Sequence, residues 1–311
     1  MNSSLSIQPS GSLSLWERWQ RYLRQHRDQT LAWTILTPIL IYYFFFSIVP
    51  VLTNLVISFT DWNGFNAFHF VGLKNYFRFF EDKYYRQVFS NTAYFAVVSM
   101  VIGLPLGVIV ALMLNQQIRA RGIYRTLWYI PTVTSGAIIS QMVIVFMAPY
   151  GGVFNLIVTG LGFKAVIWQT DVNALRNIIL GYTVWKGVGS TIVLYLAALQ
   201  GIPRELYEAA MVDGAGRFQR FWYITVPMLT NMTTFVFVTG IIGGFQIFEP
   251  IQLISRGGPF NSTNVVLNQI YNDAFKNLDF GIATSSATIL ALFLLFASMI
   301  SMRAMRQGEA A

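Results

Sequence analysis

Long stretches without a charged side chain are the feature that most constrains the fold of this 311-residue chain. Five of them contain no Asp, Glu, Lys or Arg, and a sixth, residues 177–203, contains only Lys186. The five are residues 31–60, 87–118, 126–163, 221–248 and 280–302. A helix needs about 20 apolar residues to cross a hydrocarbon core of about 30 Å. Since backbone groups in lipid must be bonded within the segment, helices are favoured. The sequence predicts an all-α, polytopic membrane helix bundle.

Six transmembrane helices are predicted, and the composition agrees, because only 11% of the residues are charged against about a quarter in soluble domains. The predicted spans are residues 31–59, 92–114, 124–147, 178–200, 229–248 and 282–302. Residues 1–29 are predicted to form an N-terminal segment, residues 30–302 the six-span domain and residues 303–311 a tail. The first apolar run lacks a small-residue cleavage site, so we interpret it as a retained helix.

The distribution of basic residues orients the predicted bundle. One side receives twelve arginines, close to the span ends, whereas the other side receives eight Lys and Arg residues spread over three longer loops. By the positive-inside rule both termini and the loop 201–228 are cytoplasmic. The same charges are expected to contact anionic membrane lipid, so no nucleic acid partner is predicted.

The loop at residues 201–228 contains a short two-part helical element. Pro203 suits a first helical turn, Gly214 suits a left-handed helix end, and Pro227 marks the return to the membrane. Ala209 and Ala210 let another backbone approach closely, which suits docking into a groove on a partner. An ordinary interfacial helix lying on the bilayer explains the same residues equally well.

The spacing of this element closely resembles the EAA loop of ATP-binding cassette importer permeases. The match runs from Glu208-Ala209-Ala210 through Gly214 to Val226-Pro227, with valine where leucine more usually precedes the proline. The stretches "FVGLKNY", "GGVFN" and "GGPFNSTNVVLNQIYNDAFKNLDFG" are similar to the carbohydrate-uptake branch of that family, which includes maltose and glycerol-phosphate permeases. The resemblance covers nearly the whole chain from about residue 30, and "FVGLKNY" resembles the first of two non-identical permease subunits.

The resemblance implies a type I importer permease fold in a bacterial inner membrane. It also implies that the loop 201–228 is a coupling helix seated in a cytoplasmic ATPase dimer. The implied ATPase-coupling residues are Glu208, Ala209, Ala210, Asp213, Gly214 and Pro227. The other implied partners are a second permease subunit, an extracytoplasmic solute-binding protein and a sugar.

No cofactor, catalytic residue or metal site is predicted in this chain. It has no G-x-x-x-x-G-K-[ST] phosphate loop, so ATP and magnesium would be bound by the partner ATPase. His26 and His69 lie outside the predicted spans, and neither H-E-x-x-H nor G-x-S-x-G is present, which leaves an intramembrane hydrolase unsupported.

Lys186 is the only Asp, Glu, Lys or Arg that lies away from the ends of a predicted span, roughly 12 Å below the outer end at 1.5 Å per residue. Such groups are costly in lipid and often functional. Lys186 would contact substrate or pair with Glu249, or its ammonium would snorkel to the interface. The candidate substrate path is Tyr182, Thr183, Trp185, Lys186, Gly187, Ser190, Phe245, Gln246 and Glu249. Aromatic side chains within a span more often pack against other helices than line a site, so packing is the alternative interpretation of the aromatic residues.

Three transport functions follow from these residues. The first is sugar import by an ATP-driven permease subunit, and the second is import of glycerol phosphate or another polyol by the same machinery. The third is an ion-coupled secondary transporter, which usually needs intramembrane acids or broken repeat helices. No predicted span contains Asp or Glu.

Overall fold

The computed structural model describes residue 16 and residues 27–308 with the exception of residue 117. Most of the predicted N-terminal segment 1–29, and residues 309–311 of the predicted tail, therefore lie outside the described residues. The chain divides into two compact units, Met1–Val56 and Ile57–Ala311. Over the described residues the structure is helical and contains no strand, and Thr60 and Phe70 form an isolated β-bridge.

The described part of the first unit is one continuous apolar helix. Helix α1 (Arg27–Tyr43) continues through a π-helical turn at Phe44–Ile48 into α2 (Val49–Ile57). Residues Leu31–Ile57 are long and apolar enough to cross a membrane. The predicted first span, residues 31–59, matches this helix to within two residues.

The second unit contains the remaining helices, which we number in chain order. They are α3 (Lys74–Glu81), α4 (Lys83–Asn115), α5 (Arg121–Val133), α6 (Gly136–Phe146), α7 (Val153–Gly160), α8 (Val172–Gln200), α9 (Arg204–Val212), α10 (Arg217–Arg220), α11 (Val226–Met228), α12 (Thr230–Phe245), α13 (Val266–Phe275) and α14 (Phe280–Gly308). Two π-helical turns, Phe221–Thr225 and Ile251–Ser255, complete the set.

The described residues contain four helices that are long and apolar enough to span a membrane, and two bent helix pairs that bring the number to six. The four unbroken candidates are Leu31–Ile57, Lys83–Asn115, Val172–Gln200 and Phe280–Arg303. The bent pairs are α5 with α6, at 95°, and Arg217–Met228 with α12, at 59°. The predicted helix bundle is confirmed, and it reaches the predicted number of six spans if each bent pair is one span.

The prediction of one continuous helix over residues 124–147 is wrong. Thr134 and Ser135 have extended ψ angles of 140° and 128°, so the helix stops at Val133 and begins again at Gly136. Pro131, in the last turn of α5, has no backbone N–H to donate and weakens that turn. The apolar run contains no charge that would mark this break, which is why hydropathy alone missed it.

Helices also occur in the loops between the spans and beyond the last predicted span. Helices α3, α7 and α13 lie in the three loops that the sequence assigns to the outer side. The last helix, α14, continues past residue 302 to Gly308, so the described part of the predicted tail extends that helix.

Glycines allow close helix crossings in the second unit. A Cβ on Gly107 of α4 would overlap the Thr191 side chain of α8, and a Cβ on Gly189 of α8 would lie 2.5 Å from the carbonyl oxygen of Trp128 in α5. Around these crossings Ala111, Ile192 and Tyr195 are fully buried. Helix α8 is therefore packed between α4 and α5 at distances that larger residues would not permit.

We expect Gly189→Ala to lower the melting temperature of the purified protein by several degrees. The added methyl group would meet backbone atoms, which move only if α5 and α8 separate, and such overpacking costs about 1–3 kcal/mol. Gly181→Ala in the same helix is the matched control, because nothing lies within 4 Å of its Cβ position. Equal melting temperatures for the two variants would contradict this account of the crossing.

Candidate functional site

A cavity of about 460 Å³ lies between the spans of the second unit, and we call it the central cavity. Helices α4, α5, α8 and α12 form its walls, and most of the lining is apolar or glycine. The polar lining residues are Ser99, Thr132, Thr183, Lys186, Ser190, Thr191 and Thr239. Apolar walls with a few placed hydroxyls are typical of sites for small polar ligands.

A second cavity, of about 250 Å³, adjoins the first and shares Thr183, Lys186 and Gly243 with it. Its remaining lining includes Tyr182, Gln246 and Glu249. The Lys186 Nζ lies 3.0 Å from Glu249 Oε2, which makes a hydrogen-bonded ion pair. The pair therefore lies in the wall where the two cavities meet.

The break between α5 and α6 makes room for this ion pair. A Cβ on Gly136 would overlap Glu249 Oε2 and would lie 2.5 Å from Lys186 Nζ. Tyr182 donates its hydroxyl hydrogen bond to the carbonyl of Gly136 (3.1 Å), and Thr132 donates to the carbonyl of Lys186 (2.9 Å). Both sides of the break are thus hydrogen-bonded to α8. The bend places Gly136, the first residue of α6, next to the ion pair.

The structure brings most of the predicted substrate-path residues together around the two cavities. Tyr182, Thr183, Lys186, Gly187, Ser190, Gln246 and Glu249 all line one or both of them. Trp185 and Phe245 do not. Trp185 is partly exposed on another face of α8, and Phe245 is buried against Phe89 and Phe293 in the core.

Sequence reasoning missed Thr132, Gly136 and the wall that α4 contributes. Ser99 and Gly103 of α4 line the central cavity, and neither carries a signal that separates a cavity wall from a helix contact. A glycine immediately after two β-branched or hydroxyl residues, as in "TVTSG", is a weak sign of a helix break. It is the one signal that would have pointed to Gly136.

The loop at residues 201–228 begins with an exposed, well-terminated helix. Pro203 precedes α9 as its N-cap, and Gly214 follows its end with φ of +81°. The N–H of Ala215 donates to the carbonyl of Ala210 (2.8 Å), and the N–H of Gly214 donates to that of Met211 (3.1 Å). This pair of bonds is a Schellman motif, which requires a left-handed residue and so favours glycine.

The predicted ATPase-coupling residues lie on the exposed part of this loop. Glu208, Ala209, Asp213, Gly214 and Pro227 are exposed, and Ala210 is half-buried. Val212, at the end of α9, is 88% exposed. The loop thus presents a carboxylate beside small and apolar surface, which suits protein docking.

A hydrogen bond ties α9 to the segment that leads into α12. Tyr207 on α9 and the buried Thr225 share a hydroxyl hydrogen bond of 2.9 Å. Residues Arg217–Met228 then bend by 59° into α12. Tyr207 and Thr225 therefore connect α9 to the segment that continues into α12, a helix that lines the central cavity.

Buried polar side chains fix α13 against the start of α4. Asp273 accepts hydrogen bonds from Tyr85 (2.9 Å), Gln269 (2.7 Å) and Asn277 (3.0 Å). Burial raises the pKa of the Asp273 carboxyl above its ordinary value, although these donors partly oppose the rise.

In the same loop Phe260 is 88% exposed with φ of +50°. The loop is thus held rigidly at its base and exposes an aromatic ring.

The fold and the cavities define a polytopic helical membrane protein with a site between its spans whose largely apolar walls carry a few polar side chains. Residues 103–308 match the protein family described as binding-protein-dependent transport system inner membrane component. Because this match covers more than half of the chain, the chain belongs to that family and is an inner-membrane transport component.

Individual relatives extend the comparison over most of the chain. The multiple sugar-binding transport system permease protein MsmF of Streptococcus mutans is 30% identical over 92% of this chain and 99% of its own length. The sn-glycerol-3-phosphate transport system permease protein UgpA of Yersinia pestis is 31% identical over 75% of this chain and 79% of its own.

Solved structures have the same fold. A chain of a bacterial ABC transporter involved in the import of the acidic polysaccharide alginate superposes with a TM-score of 0.82. It is 24% identical and covers 92% of this chain and 99% of its own. The bacterial alginate transporter in complex with an alginate pentasaccharide-bound periplasmic protein gives 0.80, at 24% identity, over 90% of this chain and 96% of its own. The predicted importer permease fold is confirmed.

Proposed function

We propose that this chain is one of two non-identical permease subunits of an ATP-driven sugar importer. In this proposal the sugar passes through the central cavity, and a cytoplasmic ATPase dimer supplies the energy. Both termini and the loop 201–228 face the cytoplasm, and an extracytoplasmic solute-binding protein docks on the outer loops. Family membership and sugar-transport relatives support the assignment.

The exposed helix α9 is the single observation that carries the coupling role. Its Schellman end holds Glu208 and Ala209 on a rigid, protruding surface, and short exposed helices suit grooves on partner proteins. The Tyr207–Thr225 hydrogen bond joins α9 to α12, which lines the central cavity. Closure of an ATPase dimer on α9 would therefore change the shape of that cavity.

Import of glycerol phosphate or another polyol is the second candidate. Lys186 in the cavity wall and the similarity to a glycerol-phosphate permease favour it. An ion-coupled secondary transporter is less well supported, because none of the candidate membrane spans contains Asp or Glu.

Reconstitution tests the proposed function. The chain, purified with its partners and placed in proteoliposomes, is expected to accumulate a saccharide only when ATP and the binding protein are supplied. Substituting the phosphate-loop lysine of the partner ATPase should lower uptake at least about tenfold, because ATP hydrolysis drives the conformational change. Uptake that persists without an ATPase would contradict the proposal and favour an ion-coupled carrier.

A further inference from the structure

The two cavities have a wall without net charge. Among the residues that the structure describes, Lys186 is the only Asp, Glu, Lys or Arg that lines the central cavity, and Lys186 and Glu249 are the only ones that line the second. Their Nζ and Oε2 atoms are 3.0 Å apart. The lysine that lines both cavities is therefore already paired with a carboxylate of the same chain.

The surrounding structure is built to hold this pair. The Lys186 side chain is 26% exposed and the Glu249 side chain is 51% exposed, so the lysine is the more buried partner of the pair. Gly136 leaves the space that the carboxylate and the ammonium occupy, since a Cβ at that position would meet both. The hydrogen bonds of Thr132 and Tyr182 join α8 to α5 and to α6, on the two sides of the break beside the ion pair.

We infer that Lys186 and Glu249 set the charge selectivity of the path, so that the solute carried is an uncharged saccharide. This inference rests on the proposed function and decides between its two candidates. An anionic solute needs an unpaired cation or several directed donors when it leaves water. Here it would have to compete with Glu249 for Lys186 and leave that carboxylate unpaired. Sugar hydroxyls can instead bond to the cavity hydroxyls and to the paired charges without separating them.

The names of the relatives do not distinguish a neutral from an anionic solute. MsmF is named for sugars, whereas UgpA is named for glycerol phosphate. The ion pair distinguishes the neutral from the anionic candidate because it determines the charge of the cavity wall. The Lys186 ammonium taken alone allows the anionic candidate, and its pairing with Glu249 argues against that candidate.

The test measures inhibition by matched neutral and anionic probes. The complete transporter is placed in nanodiscs, which leave both faces accessible, and binding-protein-stimulated ATP hydrolysis is recorded at constant ionic strength. Glucuronate and glucose are the probes, because they differ only in a carboxylate at C6. We expect the glucuronate concentration that inhibits the Glu249→Gln transporter to be at least about tenfold lower than the concentration that inhibits the wild type. Glucose should inhibit both transporters equally.

Three further variants assign the effect to the charge. Lys186→Met combined with Glu249→Gln restores a neutral wall and should return glucuronate inhibition to the wild-type level. Asp28→Asn makes a similar carboxylate-to-amide change on an exposed residue of the first unit and should leave inhibition unchanged. If Glu249→Gln does not assemble, Gly136→Ala opens the pair while keeping both charges, and it should show the same gain of inhibition.

The outcomes separate this inference from the proposed function. Wild-type inhibition by glucuronate as strong as that of Glu249→Gln would overturn the charge selectivity and leave the importer assignment intact. Faster uptake of sn-glycerol 3-phosphate than of any neutral saccharide by the wild type would do the same. Absence of ATP hydrolysis in a complex that binds saccharide-loaded binding protein would overturn the proposed function and, with it, this inference.

Discussion

Replacing Gly214 by valine is expected to lower ATP-driven uptake about thirtyfold while the complex still assembles. The φ of Gly214 is +81°, where a β-branched residue is strained by about 2 kcal/mol, and each 1.4 kcal/mol is about a factor of ten. No heavy atom lies within 4 Å of its Cβ position, so the strain is conformational. Relief of that strain breaks the Schellman motif and turns α9 relative to the segment that leads to α12. Uptake into proteoliposomes at fixed ATP measures the loss.

Gly216→Ala provides the matched control two residues away. Gly216 has φ of −69°, which alanine adopts without strain, and its Cβ would make an ordinary contact of 3.6 Å with Gln219. Its N–H keeps donating to the Gln219 side chain, so most of the uptake should remain. Wild-type uptake by Gly214→Val would show that the geometry of this turn is irrelevant to coupling.

The parts that the sequence predicted well depend on local signals. The apolar runs determine the six membrane-crossing regions, because hydrophobic length is a property of each segment alone. Pro203 and Gly214 mark the two ends of α9 and are also local signals, because each acts through its own backbone conformation. Family resemblance added the coupling role, which remains a proposal.

The parts that the sequence left open depend on contacts between distant segments. Lys186 was equally consistent with snorkelling, substrate contact or pairing with Glu249, and the position of the fifth span was needed to decide for the pair. The break at Thr134 and Ser135 was missed because the hydrogen bonds that hold it join Thr132 and Gly136 to α8, and contacts with a distant segment leave no local signal in the sequence. Phe245 resembled a cavity residue, but packing with Phe89 and Phe293 places it in the core.

Gly136→Ala is expected to lower saccharide uptake about thirtyfold without removing a charge. The added Cβ would meet the ends of the Glu249 and Lys186 side chains, which can move aside, and not backbone, so the fold should survive. Leaving a fully buried charge without its partner costs about 3–5 kcal/mol. Because the Lys186 and Glu249 side chains are 26% and 51% exposed, solvent screening reduces this cost to about 2 kcal/mol at most. Uptake of the native saccharide into proteoliposomes, together with glucuronate inhibition in nanodiscs, measures the effect.

Steric and electrostatic causes can be separated by comparing this variant with two others. Gly181→Ala adds the same methyl group where nothing lies within 4 Å, so uptake should be retained. Gly136→Ala in the Lys186→Met and Glu249→Gln background has no ion pair to displace, so the added methyl group should cost much less uptake there than in the wild type. An equal loss in both backgrounds would mean that Gly136 is needed for the bend between α5 and α6 alone. A loss seen only when Lys186 and Glu249 are present would mean that the glycine at the bend is needed to leave space for the ion pair. Gly136 would then be a positioning residue for the selectivity of the path.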